Sequence, residues 1–167
     1  IHNDECVGAE PCVIVVFFDG KLDTVPADAL STDGPKGVTI PGDAVDWKLF
    51  NPEMPNGPEM AMVNGITADE GMWTAMIKFP AGMQTNVHTH SANFVGALIS
   101  GPHSRGAGLD SLTAMSPGSV WTEIKDTPHM EKCGEEAPCI FVGTMDGKLD
   151  QSSVEIKAAE EEASGSE

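Results

Sequence analysis

Tyrosine is absent from this 167-residue chain, and aromatic residues make up only 5 % of it. Phenolic acid–base chemistry is thereby excluded, and an apolar interior has to draw heavily on aliphatic side chains and methionine. Basic residues are scarce: 9 Lys and Arg stand against 26 Asp and Glu, a formal charge of −17. Neutralising phosphates takes clustered cations, so the charge argues against nucleic acid and anionic membrane surfaces as partners. No apolar run approaches the roughly 18 residues that a membrane-spanning helix needs. The longest, CVIVVFF, has the length of a strand. Part of the acidic surplus lies in the tail AAEEEASGSE, which reads as solvated and mobile.

What the chain has in quantity is turn chemistry, with 18 Gly and 12 Pro. From Gly37 onward, short β-prone runs alternate with turn signals: GVTI, DWKLF, AMVNGI, GMWTAMIKF, NVHTH, FVGALI, SVWTEI, HMEKC and PCIFVGTM. About nine short strands at this spacing predict an all-β sandwich or barrel. Helix is expected only over 110–115 and at the acidic C-terminus.

The chain also repeats itself. Shifted by 127 positions, IHNDECVGAEPCVIVVFFDGKLD (1–23) lies over PHMEKCGEEAPCIFVGTMDGKLD (128–150) without a gap, and 10 of 23 positions are identical. The matches include His2/His129, Cys6/Cys133, Cys12/Cys139 and the whole run DGKLD. The two copies read as one structural unit used twice. Residues 1–25 are therefore expected to be the terminal strands of a preceding, truncated repeat, with 26–36 a linker. Residues 37–152 would form one complete domain, and 153–167 an acidic flexible tail. Pairing of the N-terminal strands with this domain's own sheet, or with a partner's, stays open as the alternative.

The chemistry concentrates in NVHTHSANF (86–94). On a strand, successive side chains alternate faces, so His88 and His90 project the same way with Cα atoms about 7 Å apart. Neutral imidazoles so placed can share one divalent metal ion. A polar strand face that happens to carry histidine is the bland alternative. His129, after a turn-forming Thr-Pro and before an apolar run, is the candidate third ligand. His2 has no His-x-His in its own copy, and His103 reads as decoration on a loop at the rim. The nine methionines, scattered at strand spacing, read as core filling rather than as a copper cluster. The cysteines form two Cys-x5-Cys pairs, Cys6/Cys12 and Cys133/Cys139, each able to close a disulfide across a hairpin. Four reduced thiols are the alternative. Even number and repeated spacing favour disulfides, and with them a secreted or periplasmic setting over a cytoplasmic one.

These motifs resemble those of the cupin superfamily. Residues 82–101, GMQTNVHTHSANFVGALISG, are similar to the first cupin motif, and SPGSVWTEIKDTPH (116–129) to the second. The wording FPAG…HTHSAN…GALISG…PGSVW…PHMEKC…DGKLD resembles the branch of acetylacetone-cleaving dioxygenases and the cupin-like domain of ChrR-type anti-sigma factors. The resemblance covers roughly residues 37–152. Two departures stand out. The Pro-x-Gly turn of the second motif is missing, with Ile124 and Asp126 in its slots. The glutamate that many cupins carry after the His pair is also missing, since Asn93, Phe94 and Val95 occupy that region. The resemblance thus implies a cupin (jelly-roll-like) β-barrel with extra N-terminal strands and a three-histidine metal site of His88, His90 and His129.

Fe(II) is the metal that the resemblance favours, although zinc, manganese, nickel and copper also suit three imidazoles. Gln84 is a candidate further ligand if its strand starts early, and Glu123 a partner that orients a ligand or serves as acid or base. Trp73, Phe79, Phe94 and Trp121 are expected to wall a substrate pocket. The implied function is oxygen-dependent cleavage of a small dicarbonyl-like molecule, and a homodimer through the barrel is expected. With no tyrosine and no carboxylate near the His pair except Glu123, lyase or isomerase chemistry is the weaker reading. A non-catalytic metal- or ligand-sensing cupin module is the alternative to an enzyme.

Overall fold

The computed structural model describes residues 5–9, 11–17, 39–64 and 71–154. The chain divides into two compact units, Ile1–Trp47 and Lys48–Glu167. In the first, Cys6 and Cys12 are joined in a disulfide with Cα atoms 5.8 Å apart, and Gly42–Ala44 makes one 3₁₀ turn. The β-prone run at 11–17 forms no strand, and Val13 and Ile14 are exposed. A strand exists only through a neighbour's backbone groups, and this copy has no ladder partner among the described residues. His2, the expected linker and the acidic tail beyond Val154 lie outside the described residues.

The second unit holds eleven strands among the described residues. They are β1 (Lys48–Leu49), β2 (Glu59–Asn64), β3 (Trp73–Phe79), β4 (His88–Thr89), β5 (Phe94–Ser100) and β6 (His103–Gly106), followed by β7 (Thr113–Met115), β8 (Val120–Glu123), β9 (Met130–Cys133), β10 (Cys139–Met145) and β11 (Ser152–Ser153). One antiparallel sheet runs β1-β2-β3-β10-β5-β8. Two smaller sheets, β7-β6-β9 and β11-β4, are tied together by the bridge His88↔His129.

Alternation explains the core. β10 is buried at every second residue, and with β3 and β5 it turns Trp73, Ile77, Phe79, Phe94, Phe141 and Met145 to the interior. The packing leaves no room for a side chain at Gly143, where a Cβ would lie 1.9 Å from Phe94 Cζ. Gly101 ends β5 at φ +92°, in the left-handed region, and a Cβ there would meet Pro138 O at 2.3 Å.

Three sequence expectations need correction. Residues 110–115 are not a helix: one 3₁₀ turn at Leu109–Ser111 leads straight into β7, whose Thr113 and Met115 pair with β6. Residues 39–40 of GVTI are not in a strand. His103 is no rim residue. It sits at 1 % exposure in β6, paired with Cys133 and Met115 and ringed by Phe79, Trp121 and Phe141.

Candidate metal centre

β4 and the turn before β9 bring His88 and His129 opposite each other, each backbone N–H donating to the other's carbonyl at 2.9 Å. His90 follows β4, and its ring centroid lies 4.9 Å from that of His88 and 5.2 Å from that of His129. The three side chains offer ligand nitrogens within 4.8 Å of one another. Nitrogens that share one ion at ~2.1 Å stand about 3–4 Å apart, so the cluster is close to a coordination set.

The second nitrogen of each ring is already committed. Nδ1–H of His88 donates to Asn86 O at 2.8 Å, that of His129 to Thr127 O at 3.0 Å, and that of His90 to Asp150 O. A carbonyl only accepts, so each Nδ1 carries the proton and each Nε2 keeps a bare lone pair. The buried His129 Nε2 has no hydrogen-bond partner among the described residues, its polar neighbour being the acceptor Glu123 Oε2. Burial is the chief cause that holds the His88 imidazole below its ordinary pKa and lowers His129 to about 4. An unprotonated, unpartnered nitrogen in a buried cluster is what a divalent cation requires of a ligand.

Glu123, at the end of β8, is 8 % exposed and stands beside the cluster. Its Oε2 lies 3.2 Å from His129 Nε2 and 4.0 Å from His90 Nε2. Its Oε1 accepts from Trp121 Nε1 at 3.2 Å and from Arg105 Nη2. Arg105 also donates through Nε to Glu131 Oε1 at 3.0 Å, and its guanidinium lies 5.1 Å over the Trp121 ring. One cation thus holds two carboxylates.

A cavity of about 280 Å³ opens beside His88 and His90. Trp73, Phe79, Phe94 and Phe141 supply its apolar wall, while Glu123 and Glu131 add carboxylates. Trp121 is not among the lining residues: opposite the bare Gly96, its ring lies across β5, over the space a Cβ there would fill. Gln84 is exposed, and Met83 and Thr85 on either side of it line the cavity instead. The cause is one extra residue. Gln84 pairs with Lys132 but His88 pairs with His129, so four steps on one side match three on the other. Such a bulge inverts the alternation, and counting by twos from His88 back to Gln84 fails.

Sequence reasoning missed Arg105, Glu131 and the loop 146–150. Signals for all three were present. Arg105 is the chain's single arginine, and Glu131 shares the strand face of His129. DGKLD is the run preserved in both copies. In the structure Asp146 accepts from the backbone and side chain of Asn93 at 2.8 and 2.7 Å. Asp150 accepts from those of Ser91 at 2.9 and 2.6 Å while its carbonyl takes the His90 proton. The run is the clasp of the His-x-His segment. The expected Cys133–Cys139 pair closes a disulfide with both residues fully buried, Cα atoms 5.8 Å apart.

No protein-family model matches the chain, and no curated protein sequence does. Solved structures do. KdgF from Halomonas sp. superposes with a TM-score of 0.52 at 18 % identity, over 68 % of this chain and 96 % of that one. An RmlC-like cupin from Shewanella frigidimarina gives 0.50 at 16 %, over 62 % and 85 %. The polyketide cyclase RemF from Streptomyces resistomycificus gives 0.59 at 12 %, over 73 % and 88 %. At these identities the likeness speaks for architecture alone. With its antiparallel sheets and paired-motif histidines, the chain has the all-β cupin fold.

Proposed function

We propose that this protein is a metal-dependent enzyme that cleaves a small dicarbonyl-like molecule with dioxygen at His88, His90 and His129. The observation that carries the reading is the set of three Nε2 lone pairs, each fixed by a carbonyl on the opposite nitrogen, with His88 and His90 on the wall of a largely apolar cavity. Fe(II) is the favoured ion, and zinc, manganese, nickel and copper suit the same donors. A bound ion supplies Lewis-acid polarisation and, if iron, access to dioxygen chemistry.

The chain's own residues do the rest. Phe79, Phe94 and Phe141 keep water from the apolar body of the substrate. Arg105 fixes Glu123 so that Oε2 faces the imidazoles, where it can accept the acidic proton between two carbonyls. Charge supports an enolate. With both carboxylates ionised, a dication and Arg105 leave about one positive charge, and an enolate formed by passing its proton to Glu123 forms inside that positive field. Glu131 also answers the shortage of carboxylates, so proton-transfer chemistry has groups to use here.

The test is dioxygen consumption by Fe(II)-loaded protein given 2,4-pentanedione. Uptake matched to diketone loss, and abolished by His88→Ala, is expected. One tightly held zinc per chain with no uptake under iron loading would favour the metal-sensing module instead. The reading extends to assembly and location. β8 is an open edge of the large sheet, and Val120, Ile124, Val95 and Ile99 are exposed on its outer face. A second copy paired through that edge would cover them, and light scattering should give twice the chain mass. The two disulfides support a secreted or periplasmic setting.

A further inference from the structure

Glu131 is the cavity residue that the metal site leaves unexplained. It is a carboxylate at 7 % exposure, two positions beyond His129 on β9, and it lines the cavity. Oε1 accepts from Arg105 Nε at 3.0 Å and has His103 Nε2 behind it at 3.8 Å. Oε2 receives no hydrogen bond from any described residue. Thr85, also on the cavity wall, is occupied with the Glu131 backbone: its hydroxyl accepts from the N–H at 2.9 Å and lies 3.5 Å from the carbonyl. It does not reach over to satisfy the acid.

Oε2 opens onto the cavity, where a ligand donor can take the place of water at a carboxylate oxygen. Counter-ion duty toward Arg105 alone explains Oε1 and leaves Oε2 without a role. Arg105 bridges Glu131 Oε1 to Glu123 Oε1, and Glu123 Oε2 meets His129 Nε2 at 3.2 Å, so one short chain reaches from the imidazoles to Glu131. Phe79, Ile77 and Phe141 line the same cavity and accept only apolar surface.

From this geometry we infer a second polar subsite: Glu131 Oε2 binds a hydrogen-bond donor at the far end of the ligand. The ligand class is a molecule with chelating oxygens at one end, an apolar stretch of about five atoms, and a hydroxyl or ammonium group at the other. This deepens the proposed function by naming a feature of its substrate. It rests on the metal site as an anchor and not on the dioxygen chemistry.

The experiment uses the zinc-loaded full chain and calorimetric titration with four ligands. They are pentanohydroxamic acid, which anchors through its own two oxygens, and its 5-hydroxy, 5-amino and 5-methoxy relatives. One hydrogen bond to a buried carboxylate is worth tenfold or more. The 5-hydroxy and 5-amino compounds should bind about tenfold tighter than the parent, and the 5-methoxy compound, which cannot donate, no tighter. Glu131→Leu should erase the preference, so that the four ligands bind alike whatever their common affinity becomes. If that variant does not fold, Glu131→Gln should still lose the preference for the ammonium compound. Equal binding of all four ligands by the unaltered chain overturns the subsite and leaves the metal site standing. A gain from methoxy equal to that from hydroxyl overturns it too. Binding of none of them overturns both.

Discussion

A histidine serves a metal only if its other nitrogen is spoken for, and here three backbone carbonyls do that work. Removing a ligand and loosening its support should therefore have different signatures. His88→Ala deletes a donor, and elemental analysis of protein purified without added metal should fall from about one ion per chain to a small fraction of it. Asp150→Ala keeps all three imidazoles and the carbonyl beneath His90 but releases the clasp on Ser91. Metal should still bind at one per chain, weakened about 10–100-fold in competition with a chelator. The thermal midpoint of the metal-free protein should fall only modestly, because the two hydrogen bonds that are lost lie in an exposed loop. Full retention of affinity in Asp150→Ala would show that the carbonyl alone sets the ring.

At the scale of elements, the second motif shows how much of the site the sequence carried. The expected glycine of the Pro-x-Gly turn is Asp126, and the chain nonetheless takes φ 61° there, with the Asp126 N–H donating to His90 O at 2.8 Å. The turn survives its missing residue because aspartate tolerates the left-handed region better than most. Asp126→Gly should be neutral or slightly stabilising in urea, whereas Asp126→Val should cost on the order of 1–2 kcal/mol, since a β-branched side chain is strained at that φ. Equal stability of the two variants would contradict a left-handed turn.

The strand pattern, the histidines on two distant segments and the cysteine pairs were legible because each depends on spacing along one local element. What escaped depends on pairing between elements. The bulge between Gln84 and His88 is defined by its partner strand, so Gln84 was assigned to the wrong face. His103 opens a strand too short to show alternation, and its burial comes from Phe79, Trp121 and Phe141 on three other strands. The link from Arg105 to both Glu123 and Glu131 joins three strands and has no spacing to betray it.

For the whole molecule the shifted groups agree on one direction with pH. His129 titrates at about 4 in the folded chain, below its ordinary value of 6.5, and burial lowers His88 as well. Hydrogen bonds from Asn93 and Ser91 hold the Asp146 and Asp150 carboxyls below the usual carboxylate range. In every case the unfolded chain takes up protons before the folded chain does, so stability is complete above the unfolded values and is lost as pH falls. For His129 the window runs from 6.5 down to about 4. The opposing influence is the formal charge of −17, whose self-repulsion eases as carboxylates protonate. Salt screens that repulsion but hardly touches buried imidazoles. Urea unfolding of metal-free protein at about 0.5 M salt, where the Debye length is only a few ångströms, should therefore show stability declining from pH 6.5 towards 4. Loading with zinc should raise the curve above pH 6.5 and converge on the metal-free curve near pH 4, because protonated imidazoles release the ion. A metal-free curve flat across that interval would mean that His88 and His129 take up protons as readily in the folded chain as in the unfolded one, contradicting their burial as neutral imidazoles.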